Sequence, residues 1–270
     1  MESRLRLSVL FVFISITLLP AFAQAFGQAT HLYIADHVFP DSLHKLDLYY
    51  GGIGPDIDFF VKHPEKWPTA FEGTHYNFVD IMSFARNPQQ WVFASGWFTH
   101  NQKDFWGADH YAHIDPAYVI NKAKNLPDIP PEFAHLAIEV AVDVLLKDNA
   151  DPRLGEKLLT ALQQHSPQGH ALLAEVFVTG QKRTNRHALA MADVNFRNIL
   201  IQYATALSLP SPDNRKALAE WGVMLARKLY RIKIPASMLL GILDDAIDLV
   251  KDDYRQTVDT VIRGIKENIR

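Results

Sequence analysis

Glu132-Phe-Ala-His135-Leu-Ala-Ile-Glu139-Val-Ala-Val-Asp143-Val-Leu-Leu-Lys147 repeats apolar residues at helical spacing, and so predicts one strong amphipathic helix over 132–147. His135 and Glu139 stand four apart, which puts them on one face about one turn from each other. A polar pair in so apolar a setting needs a buried partner, because an unpaired buried polar group costs a few kcal/mol. The pair either stabilises the core by itself or holds a ligand.

The helical pattern extends in both directions from this stretch. Just before it, LPDIPP at 126–131 is a Pro-rich linker. After it, 151–270 reads as four or five helices, broken near Ser166-Pro167, Ser208–Pro212 and Ile234-Pro235. The last of them, about 250–268, is amphipathic and charged, and the acidic set Asp244, Asp245, Asp248, Asp252 and Asp253 reads as a solvated helix face. Toward the N-terminus, Thr30 reads as the N-cap of a helix over HLYIADHVF. GGIGPDIDFF at 51–60 reads as a turn with Asp56 on a loop, and 63–73 as irregular. Tyr76–Ala85 reads as a short helix ended by Asn87-Pro88, and Gln90–His100 as a helix interrupted by Trp106-Gly107. Strand-like alternation is scarce, so the expected fold is an all-α multi-helix bundle. Three segments are expected: 1–25 as a signal peptide, 26–150 as a metal-bearing helical domain, and 151–270 as a helical extension packed on it.

The signal peptide rests on Arg4 and Arg6, the apolar run Leu7–Leu19, Pro20 and the small residues AFAQA. Cleavage fits after Ala23 or after Ala25, and an uncleaved anchor is the alternative. The expectation is export to the periplasm or the medium. The 270 residues carry a net charge of −3, which gives no reason to expect a strongly basic nucleic-acid surface. There are 12 His and no Cys, so disulfides, thiolate nucleophiles and zinc–thiolate sites are excluded. A metal here would be held by His nitrogen and carboxylate oxygen, a donor set suited to hydrolytic sites.

Such groups crowd the first half: His31, Asp56, His75, His100, Asp104, Asp109, His110, His113, His135 and Glu139. Three pairs stand four apart, His100/Asp104, Asp109/His113 and His135/Glu139, and each could clamp one divalent ion from a helix face. A single such pair is a common coincidence on a solvated face; three together are not. His165, His170 and His187 lack acidic partners at that spacing and read as surface or core-edge residues.

The motifs FGQATHL, GGIGPD, GTHY, GWFTH, GADHYAH and HLAIE, in that order over about 26–146, resemble the zinc-dependent phospholipase C family. That family includes bacterial phosphatidylcholine-hydrolysing enzymes and the domain that opens the mammalian glycosylphosphatidylinositol-specific phospholipase D. The chain is more distantly similar to three-zinc fungal single-strand nucleases. The resemblance implies two or three zinc ions. It implies that a mature N-terminus at Phe26 ligates one zinc beside His31, that Asp56, His75 and His100 hold a second with an Asp bridging the two, and that a later His joins His135 and Glu139 on a third. The phospholipase C pattern picks Asp104 and His110 as bridge and later His. The phospholipase D pattern picks Asp109 and His113, and GADHYAH is closer to that wording.

The implied activity is hydrolysis of a phosphoester, phospholipase C/D-like, by a zinc-activated water that Asp56 orients or deprotonates. The implied partner is a phospholipid or other small phosphoester, with no stable nucleic acid and with peripheral membrane contact open. Tyr49, Tyr50, Phe59, Phe60, Trp67 and Phe71 either line a cleft for the substrate or belong to the core. Two further readings stand beside this one: a three-zinc nuclease or nucleotidase, and a non-enzymatic helical module stabilised by zinc.

Overall fold

In a computed structural model the protein is described over residues 26–60, 74–75, 80–101, 106–126, 129–180 and 184–269. The signal segment, 63–73 and Asp104 lie outside those residues. Within them the chain is helical, with no strand. The helices are α1 Gln28–Val38, α2 Lys45–Ile53, α3 Pro88–His100, α4 Ala108–His113, α5 Tyr118–Ala123 and α6 Pro131–Asn149. They continue as α7 Leu154–Gln164, α8 Gln168–Leu173, α9 Arg186–Ser208, α10 Asp213–Leu225, α11 Ala236–Val250 and α12 Tyr254–Asn268. Short 3₁₀ helices at Gly54–Phe60 and Ile81–Phe84 and π-helical turns at Ala174–Gly180 and Ala226–Tyr230 link them. The second half therefore holds more helices than its Pro breaks suggest, because Ala174 and Lys251 end helices without proline.

The helix over 132–147 is present and longer. Pro131 supplies its first turn, where a missing N–H costs nothing. It lies in the middle of the fold, packing on α5 and α11. One continuous apolar core runs from Phe26 to Ile265 and takes residues from both halves.

Two local expectations are corrected. Helix α1 begins at Gln28, not after Thr30, with Gly27 as its flanking residue and no side-chain cap of its own. Its free N–H groups are met from a distance: Ala29 N and Thr30 N donate to the Asp143 carboxylate at 3.0 and 2.7 Å. The second correction concerns Gly51-Gly52, which lies inside α2, with Asp56 on the 3₁₀ helix that follows rather than on a loop. Here glycine serves packing. A Cβ on Gly51 would stand 2.0 Å from the Phe93 carbonyl, and one on Gly96 2.0 Å from that of Leu48. Backbone-close crossing of α2 and α3 brings Asp56 and His100, at their ends, together.

The acidic set near the C-terminus is not one solvated face. Asp244 pairs with Arg215 at 2.7 Å, and Asp253 ties to Lys122 and to the Tyr118 hydroxyl at 2.6 and 2.7 Å. Tyr49 and Tyr50 are buried core residues. The Tyr50 hydroxyl donates to Asp193 of α9, and its ring stacks on His165 at 3.6 Å.

Candidate metal centre

Five side chains from five segments of the chain meet in the interior. His31 comes from α1, Asp56 from the first 3₁₀ helix, His75 from the stretch 74–75, His100 from the end of α3 and Asp109 from the start of α4. All five are buried. Their ligand atoms form two groups that share His100: His31, His100 and Asp109, and Asp56, His75 and His100. These groups can hold a metal ion.

The surrounding chain fixes each donor. His100 Nδ1 lies 2.8 Å from the Gly52 carbonyl and donates to it, which leaves the Nε2 lone pair facing inward. That Nε2 is 3.4 Å from Asp109 Oδ1 and 3.9 Å from Asp56 Oδ1. Asp56 Oδ2 accepts from the Gln28 amide, while its Oδ1 has no hydrogen-bond partner among the described residues and stands 3.5 Å from His75 Nε2. Thr74 Oγ1 is 2.7 Å from His75 Nδ1 and so orients that ring. The Asn101 amide bridges two donors of the cluster, giving hydrogen bonds of 2.8 Å to the His75 carbonyl and to Asp109 Oδ2. Gly107 makes the turn that returns Asp109 to His100. Its φ of 120° favours glycine, and a Cβ there would stand 2.6 Å from the His100 carbonyl.

His31 stacks face to face on His100, ring centroids 3.7 Å apart. Its Nε2 is 3.3 Å from the Phe26 backbone nitrogen. The Phe26 ring, itself buried, stacks on Tyr118 and anchors that nitrogen. Beyond it lies a further group. His113 Nε2 and His135 Nε2 face each other at 3.3 Å, and Glu139 Oε1 is 2.9 Å from His135 Nε2.

Charge makes the case for a cation. Asp56, Asp109 and Glu139 are buried carboxylates, and among the described residues no Lys or Arg pairs with Asp56 or Glu139. Burial pushes the Asp56 carboxyl up, against the pull of His100 and Gln28, and pushes Glu139 up to about 7. The same burial holds His31 well below its ordinary range and brings His100 down to about 4, so both imidazoles are neutral and able to ligate. Converging imidazole nitrogens and buried carboxylate oxygens fit a divalent cation, and the N/O donor set fits zinc among others.

Of the residues singled out in the sequence, His110 stands apart: its ring stacks on Trp106 at 4.6 Å. Asp109 faces His100, whereas His113 faces His135, so the short helix α4 spans two groups. Sequence reasoning missed Gln28, Asn101 and Asp143. Asn101 adjoins His100, and Asp143 continues the four-residue spacing of His135 and Glu139 within an apolar run; both signals were present.

No protein-family model matches this chain, and neither a curated protein nor a solved structure matches it, so the chemistry of the site itself carries the functional reading.

Proposed function

We propose that the protein is a zinc-dependent phosphoester hydrolase of the phospholipase C/D type, exported and processed at its N-terminus. One observation carries this reading: the ligand atoms of Asp56, His75, His100 and Asp109 converge in the buried interior, in two groups that share His100. The groups formed by His31, by Asp56 with His75 and His100, and by His113 with His135 and Glu139 support two or three ions, in the order the family resemblance implies. Cleavage after Ala25 would turn the Phe26 nitrogen, already 3.3 Å from His31 Nε2, into a free amine beside the first group.

Bound zinc supplies Lewis acidity toward water and phosphate oxygens. The residues supply the rest. Gln28 holds one Asp56 oxygen and leaves the other facing the cluster, where it orients a water or accepts its proton. Asn101 holds Asp109 and His75 in fixed relation. Burial keeps the donors away from bulk water, which strengthens every charge interaction at the site.

Elemental mass spectrometry of the processed protein tests the reading, beside a His135→Ala variant. Two to three zinc ions per chain, fewer in the variant, and zinc-dependent turnover in a phosphoester screen are the expected results. A protein that takes up no zinc with its native N-terminus is not this hydrolase. One that takes up zinc without turning over any phosphoester is a binding module.

A further inference from the structure

Helix α6 has a second flank. Phe133, Leu136, Ala137 and Val140 share a face roughly 130° around the helix from that of the ligand positions His135 and Glu139. They form one wall of an open pocket closed by α10, through Trp221 and Leu225, and by α11, through Leu239 and Ile242. Its lining is almost entirely hydrocarbon. Met238, next to the lining residue Leu239 on α11, is 54% exposed.

The chain next to this pocket is basic in an acidic protein. Residues 221–243 contain no Asp or Glu and carry Arg227, Lys228, Arg231 and Lys233, while the whole chain has a net charge of −3. All four cations are exposed, and among the described residues none forms an ion pair. The partly buried Ile232 and Ile234 alternate with them. No described helix is long and apolar enough to cross a membrane.

We infer that the basic segment 227–233 and the α6–α10–α11 pocket together dock the protein on the surface of an anionic lipid bilayer, with hydrocarbon entering the pocket. Charge complementarity selects this occupant. A second copy of this acidic chain would bring a like patch against the cations, whereas an anionic bilayer offers negative charge above and hydrocarbon below. Long Lys and Arg stems suit that boundary, lying along apolar groups with their charges outward. The inference is independent of whether the metal cluster turns over phosphoesters, since docking is read by binding alone.

The test is co-sedimentation of the metal-loaded protein with phosphatidylglycerol or phosphatidylcholine vesicles, at low salt and at about 0.5 M salt, where screening is several-fold stronger. Binding to phosphatidylglycerol, weak binding to phosphatidylcholine and loss in high salt are expected. At about fivefold per cation near an anionic surface, Lys228→Gln with Lys233→Gln lowers partitioning roughly twenty-five-fold. Met238→Asp lowers it about tenfold at low salt. All these positions are exposed, so bound metal and helical content stay at parental levels. Equal binding to both lipids, binding unchanged in the Gln variant, or no binding to either vesicle overturns the inference. So does a concentration-dependent dimer that Met238→Asp abolishes, which would make this face a self-interface.

Discussion

Glu139 and Asp143 stand one turn apart on α6, both fully buried, and they are held in opposite ways. Asp143 accepts hydrogen bonds from four protein donors: Ala29 N, Thr30 N, the Thr30 hydroxyl and the Tyr203 hydroxyl. Glu139 has the His135 ring at 2.9 Å and no backbone or hydroxyl donor among the described residues. Burial raises both, Asp143 to about 6 and Glu139 to about 7. A carboxylate saturated by its own protein is a structural tie. One left open beside an imidazole is free to take a cation. The Asp143 turn holds the start of α1, and with it Phe26 and His31; the Glu139 turn faces the cluster.

Stripping the metal is the largest perturbation of that contrast. A ligand that binds only the folded state, at a thousandfold its Kd, adds about 4 kcal/mol of stability. Chelation is expected to remove most of that, read as a fall in urea midpoint that added zinc restores. The Asp143 tie should be indifferent to the treatment.

Asp143→Asn sharpens the same point from the other side. Its amide turns a donor toward groups that are themselves donors, costing about 1–2 kcal/mol at neutral pH with or without metal. The loss depends on pH in a definite sense. Folding raises this carboxyl from its ordinary value to about 6, so between about pH 4 and 6 the folded chain binds more protons than the unfolded one. The stability contributed by the group is therefore fullest below about pH 4, falls as pH rises to about 6, and is flat above. The stability gap between parent and variant should widen by on the order of 2 kcal/mol from pH 7 to pH 4. A gap that is constant across this range would mean that Asp143 is not titrating in the fold.

Asp56→Asn should invert the pattern. Among the described residues the carboxylate has no Lys or Arg partner, so the neutral amide stabilises the chelated protein by about 1 kcal/mol while lowering bound metal. Destabilisation by the same change in the metal-free protein would show that Asp56 is a structural tie like Asp143.

Much of this contrast was legible from spacing, and some was not. The helix of 132–147, the His135/Glu139 face and the Pro breaks follow from period and backbone chemistry, which act locally. The cap of α1 could not be read locally, because its acceptor lies 113 residues further along the chain. Gly51-Gly52 looked like a turn because glycine permits one; the close approach of α3 that requires it is tertiary. The pair Asp109/His113 was found, but not its division between two groups. Spacing places two side chains on one face without saying what faces each of them.

His110 supplies the smallest effect and the cleanest control. It sits between Asp109 and His113 in sequence and was a candidate ligand, yet its ring lies against Trp106, which is 37% exposed. Replacing it with Ala removes one aromatic contact at the surface, an effect of about 0.5–1 kcal/mol. Bound zinc should stay at the parental count, in contrast to His113→Ala, which removes the imidazole facing His135. If His110→Ala loses metal while His113→Ala keeps it, α4 presents the other pair of side chains to the cluster, and the division of Asp109 and His113 between two groups fails with it.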